Sequence, residues 1–304
     1  DRRKTGDWEI YYTATCPKCK AVNFSKKPVD TEQPCVACGT SINSGWKKNI
    51  EPRKGFIVGT DVFDVVPAGS RKPQKYHRGD IIYLGDAERH ELGVSKFKLG
   101  EKQVVLRSTT NDSLMISCDT EFSVCNFCGY SKSRKEQKKW DFVVEEKHKT
   151  SYGHGCPNTK LYPYRLSHIF KTDVVQLTFA DDADYATMLS TLYAILRAVS
   201  LILDIENTDI NGCLYASNGD VRYSIILYDS VPGGAGHVHR ISNDKNVFRN
   251  VISQAYALCN NCECSPSCYK CLRDYYNQNF HAILSRKAVV NFLSQYMMRG
   301  YLDS

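Results

Sequence analysis

With 304 residues, 42% hydrophobic and 24% charged, the chain has material for one large core or for two or three small domains. A net charge of +7 permits a nucleic-acid partner but does not identify one. No signal-peptide pattern occurs, and no uninterrupted run of about 18 apolar residues marks a membrane span; the most apolar stretch, Tyr185 to Ile205, is broken by Ser190, Thr191, Arg197 and Ser200. The chain opens at Asp1 rather than at a methionine, which reads as a segment of a longer polypeptide.

Fourteen cysteines fall mostly in C-x2-C pairs, too close for ordinary bridging and well suited to metal. That usage points to a reducing, cytoplasmic compartment and to zinc. The pattern predicts an α+β chain in four parts. They are a zinc ribbon over 1–50, a β-rich segment over 51–117, a second zinc knuckle over 118–160, and a C-terminal α/β domain with a third zinc site over 161–304.

Trp8, Ile10 and Tyr12 alternate with Glu9, Tyr11 and Thr13 at the period of a strand. That strand feeds Cys16-x2-Cys19, and Cys35-x2-Cys38 follows fifteen residues later. Each knuckle turns the chain so that two thiolates converge, and four close a tetrahedron. Between 55 and 117, GFIVGTDVFDVV, DIIYLG and KQVVLRS read as strands. A basic loop with Arg71, Lys72, Lys75, His77 and Arg78 lies among them, either solvated or in contact with phosphates.

The second group supplies Cys125, Cys128 and Cys156, with His148, His154 or Cys118 as the fourth ligand. Between its halves lies SKSRKEQKK, whose Arg134, Lys135, Lys138 and Lys139 are candidate phosphate contacts. Asp173 to Phe179 reads as a strand, and Asp181, Asp182 and Asp184 offer carboxylates for a helix start. Leu189, Leu192, Leu196, Val199 and Leu203 then repeat at helical spacing. Asn218-Gly219, between two apolar runs, is a hairpin signal.

Ser224 to Tyr228 leads into DSVPGGAGHVHR, whose glycines open a helix and offer bare N–H groups to an anion, with His237 and Arg240 beside them. The stretch is neither a P-loop nor a dinucleotide fingerprint. Asp229, His237 and His239 have no nucleophile paired with them in the sequence. The third cluster has five cysteines for four positions. Cys262, Cys264, Cys268 and Cys271 make the most compact set, and exchanging Cys264 for Cys259 is the alternative. Tyr275, Tyr276 and Phe280 either stack on bases or pack the zinc site against a last helix, His281 to Met298, and Arg273 and Arg286 are candidate phosphate contacts.

HKTSYGHGC, LSHIFKTDVVQLTF, ILYDSVPGGAGHVHRI and CECSPSCYKCLRDYYNQNFHAILSR, in that order, resemble the MrfA zinc-binding (MZB) domain family. These domains end many bacterial superfamily 2 DEAD/DEAH-box helicases and occur in anti-phage subunits such as the DrmB subunit of DISARM. The resemblance covers about residues 120 to 290. It implies zinc on Cys262, Cys264, Cys268 and Cys271, favours His148 with Cys125, Cys128 and Cys156, and implies DNA as a partner. It also implies a helicase motor in the same chain or in a partner subunit, serving repair or phage defence. No motor motif is present in these residues, so the expected role is that of a non-catalytic, DNA-binding accessory region. The alternative is a protein-interaction scaffold within a defence complex.

Overall fold

The computed structural model describes residues 8–29, 32–51, 79–85, 89–133, 143–150, 152–216 and 222–297. The basic loop around Arg71 to Arg78, the run Arg134 to Lys139 and the Asn218-Gly219 turn lie outside them.

Four elements begin as the ribbon: β1 (Ile10–Thr15), β2 (Val22–Ser25), and the short pair β3 (Gln33–Pro34) and β4 (Ser41–Ile42). They are followed by β5 (Lys47–Ile50), β6 (Asp80–Tyr83), β7 (His90–Leu99) and β8 (Lys102–Cys125). Next come β9 (Ser131–Ser133), β10 (Val144–Glu145) and β11 (Lys160–Phe179). The last part holds α1 (Tyr185–Leu203), β12 (Ile210–Ala216), β13 (Tyr223–Asp229), α2 (His237–Asn243), α3 (Lys245–Asn260) and α4 (Arg286–Ser294).

The sheet is built on the antiparallel pair β8–β11, in register from Leu161 opposite Cys125 to Phe179 opposite Val104. β9, β6 and β7 pair along the other edge of β8. On the far edge of β11 lie β10, β5 in parallel, and β13, which carries β12. β5 continues to β1 and β2, so the ribbon is hydrogen-bonded into the same eleven-stranded sheet. β8 runs without a break across positions 117 and 118, and β11 starts at 160 and continues to 179.

The strand expected over 173–179 is therefore the end of a longer one. Its continuity is hidden because SHIFKT adds polar positions and is flanked by register shifts, between Arg165 and Ser167 and between Thr172 and Val174, that break the alternation on either side. Opposite that shift, Asn111 takes φ 56°, and buried Asp112 accepts from the Tyr83 hydroxyl (2.8 Å), the Thr109 hydroxyl (2.8 Å) and the Ser113 N–H (2.9 Å). One carboxylate thereby gathers two hydroxyls and a backbone N–H at the irregular turn.

Alternation decides the core. Val104 and Leu106, Val175 and Leu177, and Ile225 and Leu227 point to one face, where they are fully buried against α1 and α3. α1 contributes Leu189, Leu192, Val199 and Leu203. Asp184 caps it by accepting the Thr187 N–H at 2.7 Å, and Asp204 ends it in the left-handed region at φ 54°. By length and composition α1 could cross a bilayer, but 56% of its most apolar window is buried inside this fold.

The last helix is shorter than expected. Residues 281–283 form a turn, and Ser285 caps a helix that starts at Arg286. Its start is fixed by the Arg286 N–H donating to Pro266 O at 2.9 Å.

Candidate metal centres and the groove between them

Three tetrads place one ligand atom per residue within 4.8 Å of one another: Cys16, Cys19, Cys35 and Cys38; Cys125, Cys128, His148 and Cys156; Cys262, Cys264, Cys268 and Cys271. A tetrahedron of Zn–S bonds of about 2.3 Å has S–S edges of about 3.8 Å. The measured edges are 3.6 Å for Cys16–Cys38 and Cys19–Cys35, and 3.4 to 3.9 Å in the third tetrad. These separations fit a shared ion and are too long for disulfides. The donor sets fit structural zinc, and the chain holds about three such sites.

The first two centres use the same backbone device. Lys20 N–H donates to Cys16 O, Gly39 N–H to Cys35 O, and Gly129 N–H to Cys125 O, at 2.9 to 3.0 Å. Each closing residue has positive φ, 61° at Lys20, 69° at Gly39 and 75° at Gly129. Donors aimed at sulfur favour thiolate. The Thr40 hydroxyl and N–H bring Cys38 well below the ordinary thiol range. At Cys268 burial pushes upward, but the Lys270 N–H and neighbouring thiols bring it well below that range.

His148 completes the second tetrad. Its Nδ1–H donates to Glu146 O at 2.9 Å, which leaves Nε2 bare and 3.2 Å from Cys128 Sγ. The Tyr130 ring stacks on the imidazole at 4.6 Å. His154 and Cys118 stand outside the tetrad: His154 O accepts the Thr150 N–H, and Cys118 lies on β8 beside Asp119.

In the third centre Cys259 is fully buried behind the tetrad, and burial pushes its thiol up to about 12. Arginines hold this centre from three sides. Arg286 Nε donates to Cys264 O at 2.5 Å and its NH1 to Cys259 O at 3.2 Å. Arg197 donates to Tyr269 O at 2.9 Å, and Arg273 to the Ser267 hydroxyl at 2.9 Å. Arg273 and Arg286 are thus engaged with backbone and side-chain oxygens of their own fold.

The glycine turn already contains an anion. Asp229, fully buried, accepts N–H groups of Ala235 (2.7 Å), His237 (3.1 Å) and Val238 (3.0 Å). The bare N–H groups expected to meet a phosphate are occupied by this carboxylate, which also leaves Asp229 with a structural role. Gly234 has φ 82°, and a Cβ there would come within 2.2 Å of Asp173. Arg240 donates to Leu203 O at 3.3 Å, closing the end of α1, and His239 Nε2 lies 3.5 Å from Asp173.

One groove of about 1030 Å³ joins the ribbon to the third centre. The ribbon knuckle supplies Lys18 and Lys20, α1 supplies Tyr185, Tyr193 and Arg197, and the loop after the third tetrad supplies Arg273, Tyr275, Tyr276 and Phe280. Lys18 and Lys20 were missed in the sequence, where they are only two of many lysines. Their place inside and just after a metal knuckle was the available signal.

Residues 191–272 match the family model of the MrfA Zn-binding domain, a span from the middle of α1 to the third tetrad. This bears out the resemblance read from the sequence. The chain is also similar to the Druantia protein DruE of Escherichia coli (strain UMEA 4076-1), at 22% identity over 319 residues. That alignment takes in 94% of this chain and 16% of DruE, so the chain spans about a sixth of that relative. Crystal structures of the DUF1998 helicase MrfA bound to DNA, and to DNA and AMPPNP, align with TM-scores of 0.40 and 0.35 at 15% and 12% identity. They cover 71% and 66% of this chain, and 25% and 27% of the helicase.

Proposed function

We propose that this chain is a non-catalytic, DNA-binding accessory region that works beside an ATP-driven helicase motor, in the same polypeptide or in a partner subunit, in anti-phage defence. The observation that carries the reading is the groove itself. It sets ribbon lysines across from the segment matching a helicase-associated zinc domain, and each wall is fixed by a metal centre. The similarity to DruE along nearly the whole chain supports the defence setting. Free cysteines throughout the described residues suit a reducing compartment such as the cytoplasm. Arg134, Lys135, Lys138, Lys139 and His237 remain the proposed phosphate contacts outside the groove, while Arg240, like Arg273 and Arg286, donates within the fold.

The test is fluorescence anisotropy of a labelled oligonucleotide with the zinc-loaded chain across a potassium chloride series. Phosphate contacts release counterions, so log Kd rises with log salt by roughly 0.7–0.9 per contact. Alanine at Arg134, Lys135, Lys138 and Lys139 together lowers that slope. A chain that binds no DNA yet co-purifies with its motor is a scaffold, and the proposal fails.

A further inference from the structure

Resting on the DNA-binding reading, the geometry points to the kind of nucleic acid the groove takes: we propose that single-stranded DNA lies in it, with unpaired bases stacked on Tyr275 and Tyr276 and its backbone passing Lys18 and Lys20.

The two tyrosines are exposed although their loop is tightly held. Tyr275 is 49% exposed and Tyr276 41%, with ring centroids 5.6 Å apart at 84°. Asp274 accepts the N–H groups of Tyr276 (2.6 Å) and Asn277 (2.8 Å), and buried Asn277 donates to Leu272 O at 2.8 Å. Leu272 directly follows the ligand Cys271, so the loop hangs from the third centre. Large rings presented at a fixed angle on a rigid loop have little ordering entropy left to lose on binding. Every base has a π-face for such a platform.

Charge selects the single strand over the duplex. The acidic groups facing the groove are engaged: Asp184 caps α1, Asp274 holds its turn, Asp182 pairs with Arg222 at 3.6 Å and Asp80 with Arg165 at 3.8 Å. Arg197 and Arg273 donate within the fold. Among the described residues, the cations at the opening are Lys18, in the first knuckle, and Lys20, whose Nζ donates to Pro17 O within its own turn. Two lysines above a wall of Tyr193, Leu196, Phe280 and Ile283 are a poor match for a duplex, which presents phosphates outward. A single strand brings its own apolar faces to that wall.

The experiment compares a labelled oligo-dT with a duplex of equal length, using the zinc-loaded chain and its Tyr275→Ala/Tyr276→Ala and Tyr275→Phe/Tyr276→Phe variants. The alanine pair weakens oligo-dT binding roughly 5- to 150-fold for each stacked base lost, while the phenylalanine pair keeps it and duplex affinity stays unchanged. Lys18→Glu/Lys20→Glu lowers the oligo-dT salt slope. Zinc content and circular dichroism confirm that the variants are folded. If the wild-type chain binds DNA but the alanine pair binds oligo-dT as well as it does, the groove assignment is overturned and the DNA-binding reading stands. Alanine variants that keep oligo-dT and lose the motor would make the groove a protein-docking site and overturn the assignment in the same way. A wild-type chain that binds neither probe removes the reading beneath it.

Discussion

Replacing Arg286 with alanine separates an architectural arginine from a phosphate contact. Its guanidinium donates to Cys264 O at 2.5 Å and to Cys259 O at 3.2 Å, tying α4 to the third centre. Charge-assisted hydrogen bonds contribute about 1.5–3 kcal/mol each. The side chain is half-buried, so water replaces part of that when it is removed. Removing a cation from the first turn of α4 also returns about 0.3–1 kcal/mol. A net loss of about 2–3 kcal/mol remains, roughly 4–12 °C in Tm at the sensitivity of a domain this size. Arg286→Lys recovers only part, because an ammonium cannot reproduce the fork. Calorimetry of the zinc-loaded chain, with a chromogenic chelator timing zinc release, reads both effects. The third centre should release its ion faster while the salt slope of DNA binding stays unchanged. An unchanged Tm, with a slope lowered by roughly 0.7–0.9, would refute the reasoning and make Arg286 a phosphate contact after all.

Three further outcomes follow from the same geometry. His148→Ala lowers the zinc content by one ion per chain, whereas His154→Ala and Cys118→Ala leave it unchanged, as metal analysis of the purified variants would record. Asp229→Ala leaves three buried N–H donors without their acceptor and costs about 3 kcal/mol or more, read by urea unfolding; a fully stable variant would mean that the turn holds itself. Cys213 and Cys259, both pushed up to about 12 by burial, stay unmodified when the zinc-loaded chain is alkylated at pH 8, while half-buried Cys118 reacts first in peptide mass mapping.

The metal centres were the most legible part of the chain, because C-x2-C spacing is itself the geometry of a knuckle. The fourth ligand of the second centre was not legible from spacing: His148, His154 and Cys118 are all near enough in sequence. The approach of His148 Nε2 to Cys128, twenty residues away, is a tertiary fact, and the local Nδ1 contact to Glu146 O only orients the ring for it. Helix starts were visible at Asp184 because capping is local, and the end of α1 at Asp204 less so. The lengths of β8 and β11 were hidden by bulges that interrupt the period-2 pattern. Arginines carry no sequence mark that tells a phosphate contact from a carbonyl clamp, and in the structure Arg273 and Arg286 donate to oxygens of their own fold. The glycine turn looked open to an anion because Asp229, six residues before Ala235, could equally have pointed elsewhere.

Native mass spectrometry of the purified chain with a short oligo-dT tests the central claim most directly. The account predicts one dominant species, the chain with three zinc ions and one strand, which loses the strand when chelation strips the metal. A chain that carries three zinc ions and no strand at any salt concentration would contradict it.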